Sequence, residues 1–438
     1  MDTDKTTLAD LSIFSTEDEF SVFNKLNLTR TALGREQLRV NFSRALQSID
    51  EIGGVQKTIQ FIRGRREQWP MQISNGTLMV IERFFDSRVD QIPASPGFIT
   101  AMNYKIFHSA DFSLVNYSVN HCFEFVTGLQ LLVKEFLNDD TPAPLKKTLE
   151  EIRRNINKEE FKLIEQYKAA GEMNVQQLLQ LAHFLFYRYK RQMYELLNFY
   201  AQLDAWWGMA EAMEQYGLVF PEFIEGELPA YSCRGLYHVL LSDPVAYDVY
   251  LNPENNFLFL TGANMAGKST FIKSIGISIF LAHTGMGVPA QQMQLTFFDG
   301  LLSNINVADN VVKGESYFYN EVQRIKTTVN RISNGRKWMI LIDELFKGTN
   351  MQDAMKCSST VIEGLLKIKD SLFILSTHLY EIGEDLKKYP KISFKYFETT
   401  VTGEQLEFSY QLKDGISNDR LGYLILKKEG VVELLSKL

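Results

Sequence analysis

Eight consecutive residues, Gly262, Ala263, Asn264, Met265, Ala266, Gly267, Lys268 and Ser269, have the types and spacing to hold a polyphosphate, and Thr270 follows them. They satisfy G-x-x-x-x-G-K-[ST], in which glycines let the backbone wrap close to a triphosphate. Successive N–H groups and the positive end of a helix beginning near Lys268 would meet its charge. The Lys268 ammonium is then expected on the β- and γ-phosphates and the Ser269 hydroxyl on Mg²⁺. The same spacing arises by chance in glycine-bearing turns. Here, however, the apolar run Phe257 to Leu260 reads as a buried strand immediately before it, and Phe271 to Leu281 reads as a helix after it.

Two later stretches can complete phosphoryl chemistry. In WMILIDELFKGTN, residues 338 to 350, an apolar strand delivers Asp343, placed to hold Mg²⁺ through water, and Glu344, placed to orient or deprotonate the attacking water. An acidic helix cap after a strand is the plainer alternative for this pair. The strand Leu372 to Leu375 likewise delivers Thr377 and His378, and His378 is expected to sense the γ-phosphate, although a histidine at a strand end is more often structural. A third stretch, KGESYFYNEV at 313 to 322, puts Gly314 and Ser316 before a helix whose positive end can meet phosphate. In ATPases of the ABC type a serine in this setting reaches the γ-phosphate held by the facing subunit, so catalysis would need two chains.

The elements that position these residues divide the chain of 438 residues into two expected domains, 1–225 and 226–438. The first reads as all helical. Ser15 or Thr16 with Glu19 makes a capping-box start, and Phe20, Phe23, Leu26 and Leu28 follow at helical spacing. Helical register continues from Ile49 to Ile62, broken at Gly53 and Gly54; Arg63, Arg65 and Arg66 read as a solvated face. From Val175 to about Tyr216 no proline and a single glycine, Gly208, interrupt the pattern. A helix of some forty residues would be roughly 60 Å long, a lever rather than a core helix. Its aromatic stripe, including Phe184, Tyr189, Tyr200, Trp206 and Trp207, suits packing against other helices better than stacking on bases. Between Leu218 and Asn256, Pro221, Pro229, Pro244 and Pro253 mark the shift to strands, and beyond it the pattern is α/β, ending in a hairpin from Ile392 to Glu398 and Gln405 to Leu412.

Composition narrows the classes. Hydrophobic residues make up 45% and charged ones 23%, enough for proper cores. A net charge of −7 argues against a surface that is basic throughout. Cys122, Cys233 and Cys357 are scattered without a C-x-x-C pair and read as small apolar residues of a reducing compartment. With no signal peptide visible and no apolar run of about eighteen residues, a cytoplasmic protein with no membrane segment is expected.

Taken together and in order, TGANMAGKST, GVPAQQ at 287 to 292, ADN with KGESYFYNEV, DELFKGTN and STHLYE resemble the ATPase domain of the MutS family of DNA mismatch-repair proteins. That family's loop reads T-G-P-N-M-x-G-K-S-T, its acidic motif D-E-x-x-x-G-T and its later motif T-H. The closing stretch LKDGISNDRLGYLILKKEGV, with Asp414, Gly415, Ser417, Gly422 and Gly430, is similar to the family's last segment. LNLTRTALGREQLRVNFSRALQSIDEI resembles the start of its helical core and lever domain, and YAQLDAWWGMAEAM the end of its long lever helix. The resemblance runs from about residue 20 to 432. It implies an all-α core and lever domain followed by an α/β P-loop ATPase domain of ABC type, using ATP and Mg²⁺. It implies a homodimer through the ATPase domains, with Ser316 of one chain over nucleotide held by Lys268 of the other, and levers that move around DNA.

Several positions depart from the pattern. Ala263 stands where the family usually has proline, Tyr247 where it usually has asparagine, and Leu345, Phe346 and Lys347 where it has a glycine-containing triplet. The stretch before residue 20 and the interval 138–174 are too short for the mismatch-binding and connector domains and for a full DNA clamp, and the dimerisation helices after Gly430 are cut short. A short member without mismatch reading is therefore expected. A nucleotide-switched scaffold whose levers bind a protein stays open beside it; a transporter ATPase lacks the glycine-rich signature of that class.

Overall fold

The computed structural model describes residues 1–14, 20–306, 317–402, 405–417, 426–427 and 430–436. They form two compact units, one of Leu26–Arg44 and Gly53–Gln215, the other of Met1–Lys25, Ala45–Ile52 and Tyr216–Leu438. The partition thus differs from a single cut near residue 225: the first 25 residues belong with the α/β unit. The cause is a sheet edge that needs partners. Asp2 donates its N–H to the Asp299 carbonyl at 2.6 Å, and the Leu301 N–H donates to the Asp2 carbonyl at 2.9 Å. Helix α1 (Lys5–Asp10) follows, its N-terminus capped by Asp4, which accepts from the Thr7 N–H at 2.8 Å. Of the expected helix around Phe20, only α2 (Val22–Leu26) forms, and the capping residues Ser15, Thr16 and Glu19 lie outside the described residues.

The helical unit is organised by a buried carboxylate. Helix α3 (Ala32–Ser43) starts at Thr31, and Asp204 accepts from the N–H of Arg30 at 3.0 Å, the N–H of Thr31 at 2.9 Å and the Thr31 hydroxyl at 2.6 Å. Gly34 is required there, because a Cβ would lie 2.0 Å from Asp204 Oδ2. Helix α4 (Ile49–Arg63), whose residues from Gly53 on belong to this unit, has no break at Gly53 and Gly54, where one was expected. A Cβ on Gly54 would sit only 3.2 Å from Pro144 Cγ, so that glycine serves close helix packing rather than termination. Helices α5 (Asn75–Asp86), α6 (Phe98–Phe107), α7 (Ser109–Phe136) and α8 (Ala143–Ile156) complete the unit before the long C-terminal pair. Arg63 and Arg66 form surface ion pairs with Glu214 and Glu211, at 2.8 and 3.5 Å.

The forty-residue rod is interrupted. Helix α9 (Val175–His183) opens with the capping box of Asn174 and Gln177, passes into a π turn over Phe184–Arg188, and resumes after Tyr189 (φ −119°) as α10 (Lys190–Gln215). The π spacing brings residues five apart into line. Phe184 and Tyr189 accordingly stack at 5.0 Å, and both pack on Phe161. Phe184, Tyr189, Tyr200, Trp206 and Trp207 are buried, so these members of the aromatic stripe are core, whereas Tyr187 is exposed.

The α/β unit holds two sheets. Strands β1 (Glu222–Phe223), β2 (Tyr231–Leu236) and β3 (Tyr247–Leu251), which answer the proline-punctuated stretch, form the smaller one with β5 (Gln292–Leu295), in the order β1-β5-β2-β3. The larger comprises β4 (Phe257–Thr261), β6 (Gly300–Asn304), β7 (Trp338–Asp343), β8 (Ser371–Ser376), β9 (Ile392–Thr402) and β10 (Gln405–Asp414), in the order β10-β9-β4-β8-β7-β6. All neighbours in it are parallel except β10 with β9. Every residue of β4, β7 and β8 is buried, as expected of continuous apolar runs covered on both faces by α11 (Lys268–His283), α12 (Tyr317–Ile332), α13 (Met351–Leu365) and α14 (Glu381–Leu386). All three cysteines are free; Cys122 and Cys233 are buried and Cys357 partly so. Among the described residues no helix is long and apolar enough to cross a membrane.

Candidate functional site

The carboxyl ends of three parallel strands meet at one place, where open α/β sheets bind ligands. Ser376, the last residue of β8, pairs with Leu260 of β4 on one side and with Asp343 of β7 on the other. Chain leaves β4 through Gly262 (φ 140°) and enters α11 through Gly267 (φ 102°). At Gly262 a Cβ would lie 3.3 Å from the Phe397 carbonyl oxygen, so glycine is needed both for its dihedral and for its closeness to β9. Between them Ala263 and Ala266 are buried while Asn264 and Met265 are exposed, and Met265 takes a left-handed conformation (φ 68°).

Lys268 begins the helix but does not point to solvent. Its ammonium donates to the Gly262 carbonyl at 2.8 Å and the Ala263 carbonyl at 2.9 Å, and lies 3.5 Å from His378 Nε2. Burial lowers its pKa to about 8, against the pull of Glu344 and Asp343. The Ser269 hydroxyl donates to one oxygen of Asp343 and the Ser376 hydroxyl to the other. A hydroxyl and a carboxylate oxygen bonded to each other are hard donors of the sort Mg²⁺ accepts, so Ser269 and Asp343 fit that ion.

Glu344 sits in a left-handed conformation (φ 64°), and its N–H donates to the Ser376 carbonyl at 2.9 Å. One carboxylate oxygen lies 2.8 Å from His378 Nε2 and the other 3.2 Å from Lys347 Nζ. Burial pushes the Glu344 pKa up, but the His378 hydrogen bond and charge, with Lys347, outweigh it and bring it to about 2. Lys268, Ser269, Asp343, Glu344 and His378 are thus brought together; Ser316 lies outside the described residues, as does Gly422.

A cavity of about 450 Å³ opens beside this cluster, lined by Lys268, Ser269 and Thr270 at one end and by His238, Val245, Tyr247 and Tyr410 elsewhere. Tyr247 is held edge-on to Phe271 (5.3 Å) and Phe397 (5.7 Å). Burial lowers the His238 pKa to about 4, so that ring is neutral at pH 7. Tyr410 was not singled out from sequence. It sits where the β9–β10 register shifts between Phe408 and Leu412, at φ 54°, with its ring against Gly267. Nor was Ser376, whose hydroxyl fixes Asp343. A further tie comes from the closing segment: the Ser417 N–H donates to Thr261 Oγ1 at 2.9 Å, just beneath the loop.

Residues 258–435 match the profile of MutS domain V. The DNA mismatch repair protein MutS of Petrotoga mobilis is 26% identical over 254 residues, 57% of this chain and 31% of that protein. The protein of the same name from Thermotoga maritima is 28% identical over 248 residues, 56% of this chain and 30% of its own length. That from Pseudothermotoga lettingae is 30% identical over 230 residues, 52% of this chain and 28% of its own length. The matches thus span about three tenths of these relatives. Residues 258–435 thus match a MutS domain, and more than half of the chain is similar to DNA mismatch repair proteins named MutS.

Proposed function

We propose that this protein is a Mg²⁺-dependent ATPase of the MutS type that works as a homodimer and couples the state of its nucleotide to lever movement and DNA binding. The observation that carries the proposal is the convergence of Lys268, Ser269 and Glu344 on the lining of one cavity at the start of α11, with Asp343 bonded to Ser269 beside them. In it the N–H groups of Gly262 to Thr270 cradle the phosphates, aided by the helix N-terminus. The Lys268 ammonium exchanges the Gly262 and Ala263 carbonyls for phosphate oxygens. Ser269 and Asp343 hold Mg²⁺, which supplies charge neutralisation at the phosphates when bound. Glu344, held ionised by His378 and Lys347, orients or deprotonates the attacking water. His378 donates Nε2–H to Glu344, with the Lys268 ammonium 3.5 Å from the same nitrogen, and so can report phosphate occupancy to the carboxylate. Ser316 from the facing chain would complete the site.

A second reading is a nucleotide-switched scaffold that binds a protein. It is favoured by the apolar face of α6, where Phe98, Ile99, Ile106 and Phe107 are 70, 74, 61 and 79% exposed. ATP hydrolysis measured with and without duplex, mismatched and branched DNA at about 50 mM salt separates the two, since phosphate contacts weaken steeply as salt rises. Stimulation that fades with salt supports DNA coupling; ATPase activity indifferent to every DNA, with no DNA retained, supports the scaffold.

A further inference from the structure

The loop that carries Glu344 is strained twice: Glu344 (φ 64°) and Phe346 (φ 59°) both occupy the left-handed region without being glycine. A left-handed backbone is disfavoured for such residues and persists where surroundings over-determine it. Those surroundings are on α12. Glu321 is 4% exposed, and its two carboxylate oxygens accept from the N–H groups of Lys347 (3.2 Å) and Gly348 (3.3 Å). One turn earlier, the Phe318 ring packs on the Phe346 ring at 5.8 Å. Burial raises the Glu321 pKa, and the amides of Lys347, Gly348 and Phe346 pull it back. Lys347, whose N–H is held by Glu321, in turn reaches Glu344 through its ammonium.

Resting on the ATPase reading above, we propose that Glu321 is a positioning residue for hydrolysis: by fastening the 346–348 backbone to α12 it fixes the orientation of Glu344. It is not among the residues that line the cavity, and its carboxylate bonds to Lys347 and Gly348 rather than to Lys268, Ser269 or Asp343. Its loss should therefore alter turnover and leave nucleotide affinity alone. Gln in its place keeps one acceptor and turns an N–H₂ toward a backbone N–H, so it breaks half of the brace at constant volume.

The experiment measures kcat, KM and ATP affinity for the full chain carrying E321A, E321Q, E344Q and the double variant E321A/E344Q. A displacement of about 1 Å in a positioned group costs up to about 10²-fold in rate. We expect kcat to fall by about that order in E321A and by less in E321Q, with ATP affinity within about threefold of wild type. On the E344Q background E321A should have little further effect, because both act through the same side chain. If E321A does not fold, the E321Q kcat and affinity carry the test. A wild-type kcat in E321A or E321Q, or full additivity with E344Q, overturns the proposal while leaving the ATPase reading intact. A wild-type chain that binds no ATP overturns that reading, and the role of Glu321 with it.

Discussion

His378 Nε2 lies 2.8 Å from Glu344 Oε1, in the one cluster where a strand-end histidine, a strand-end carboxylate and the Lys268 ammonium meet. A carboxylate held this firmly can orient water without changing the affinity for ATP. Glu344→Gln is accordingly expected to retain ATP and to slow single-turnover hydrolysis by about 10²-fold or more. Hydrolysis at the wild-type rate would remove Glu344 from its assigned role.

Lys268 makes ATP binding pH-dependent. Burial lowers its folded pKa from the ordinary 10.5 to about 8, so the ammonium is lost as pH rises through about 8. Phosphate raises that pKa again. Affinity should therefore be level at lower pH, fall as pH rises through 8, and be accompanied by proton uptake; calorimetry in buffers of different ionisation enthalpy checks this. For folding the sign is the reverse. Between about 8 and 10.5 the unfolded chain binds more protons at this residue, so its contribution to stability grows as pH rises. Glu344, depressed from 4.5 to about 2, stabilises the fold above the former value and loses that contribution as pH falls toward the latter.

Ser269 and Asp343 share a hydrogen bond, and both are assigned to Mg²⁺. Ser269→Ala and Asp343→Asn should raise the Mg²⁺ concentration for half-maximal hydrolysis by about 10-fold to 100-fold. Titration of the rate with MgCl₂ measures it, and an unchanged midpoint in both variants would contradict the assignment.

Asp204→Ala in the helical unit removes the acceptor of two backbone N–H groups and the Thr31 hydroxyl. Stranding such donors costs about 1–3 kcal/mol apiece before relaxation, so a loss of about 3 kcal/mol is expected in that unit's urea transition. Gly34→Ala should do similar harm by driving a methyl against the same carboxylate.

Much of this was legible in the chain because the chemistry is local. The loop from Gly262 to Ser269 is read from consecutive residues, and Asp343, Glu344 and His378 from the strands that end just before them. What could not be read depends on pairing. Phe408, Tyr410 and Leu412 alternate like one face of a regular strand, and nothing in that spacing announces the register shift that turns Tyr410 toward Gly267. Gly54 looks like a helix breaker until Pro144, distant in sequence, is seen against it. The π turn hides for the same reason: the residues from Phe184 to Tyr189 fit a helix of either pitch, and the packing of Phe184 and Tyr189 on Phe161 is not written in local spacing. The N-terminal residues sit with the α/β unit because an edge strand needed a partner, a demand no local pattern records.

The central claim is that main-chain amides and the Lys268 ammonium grip a triphosphate. Isothermal titration of the full chain with ATP and Mg²⁺, beside Lys268→Ala, tests it most directly. Saturable binding by the wild type, weaker by on the order of 10²-fold in the variant, is expected from the loss of charge-assisted hydrogen bonds. No heat of binding with the wild type, or equal affinity in both, would contradict it.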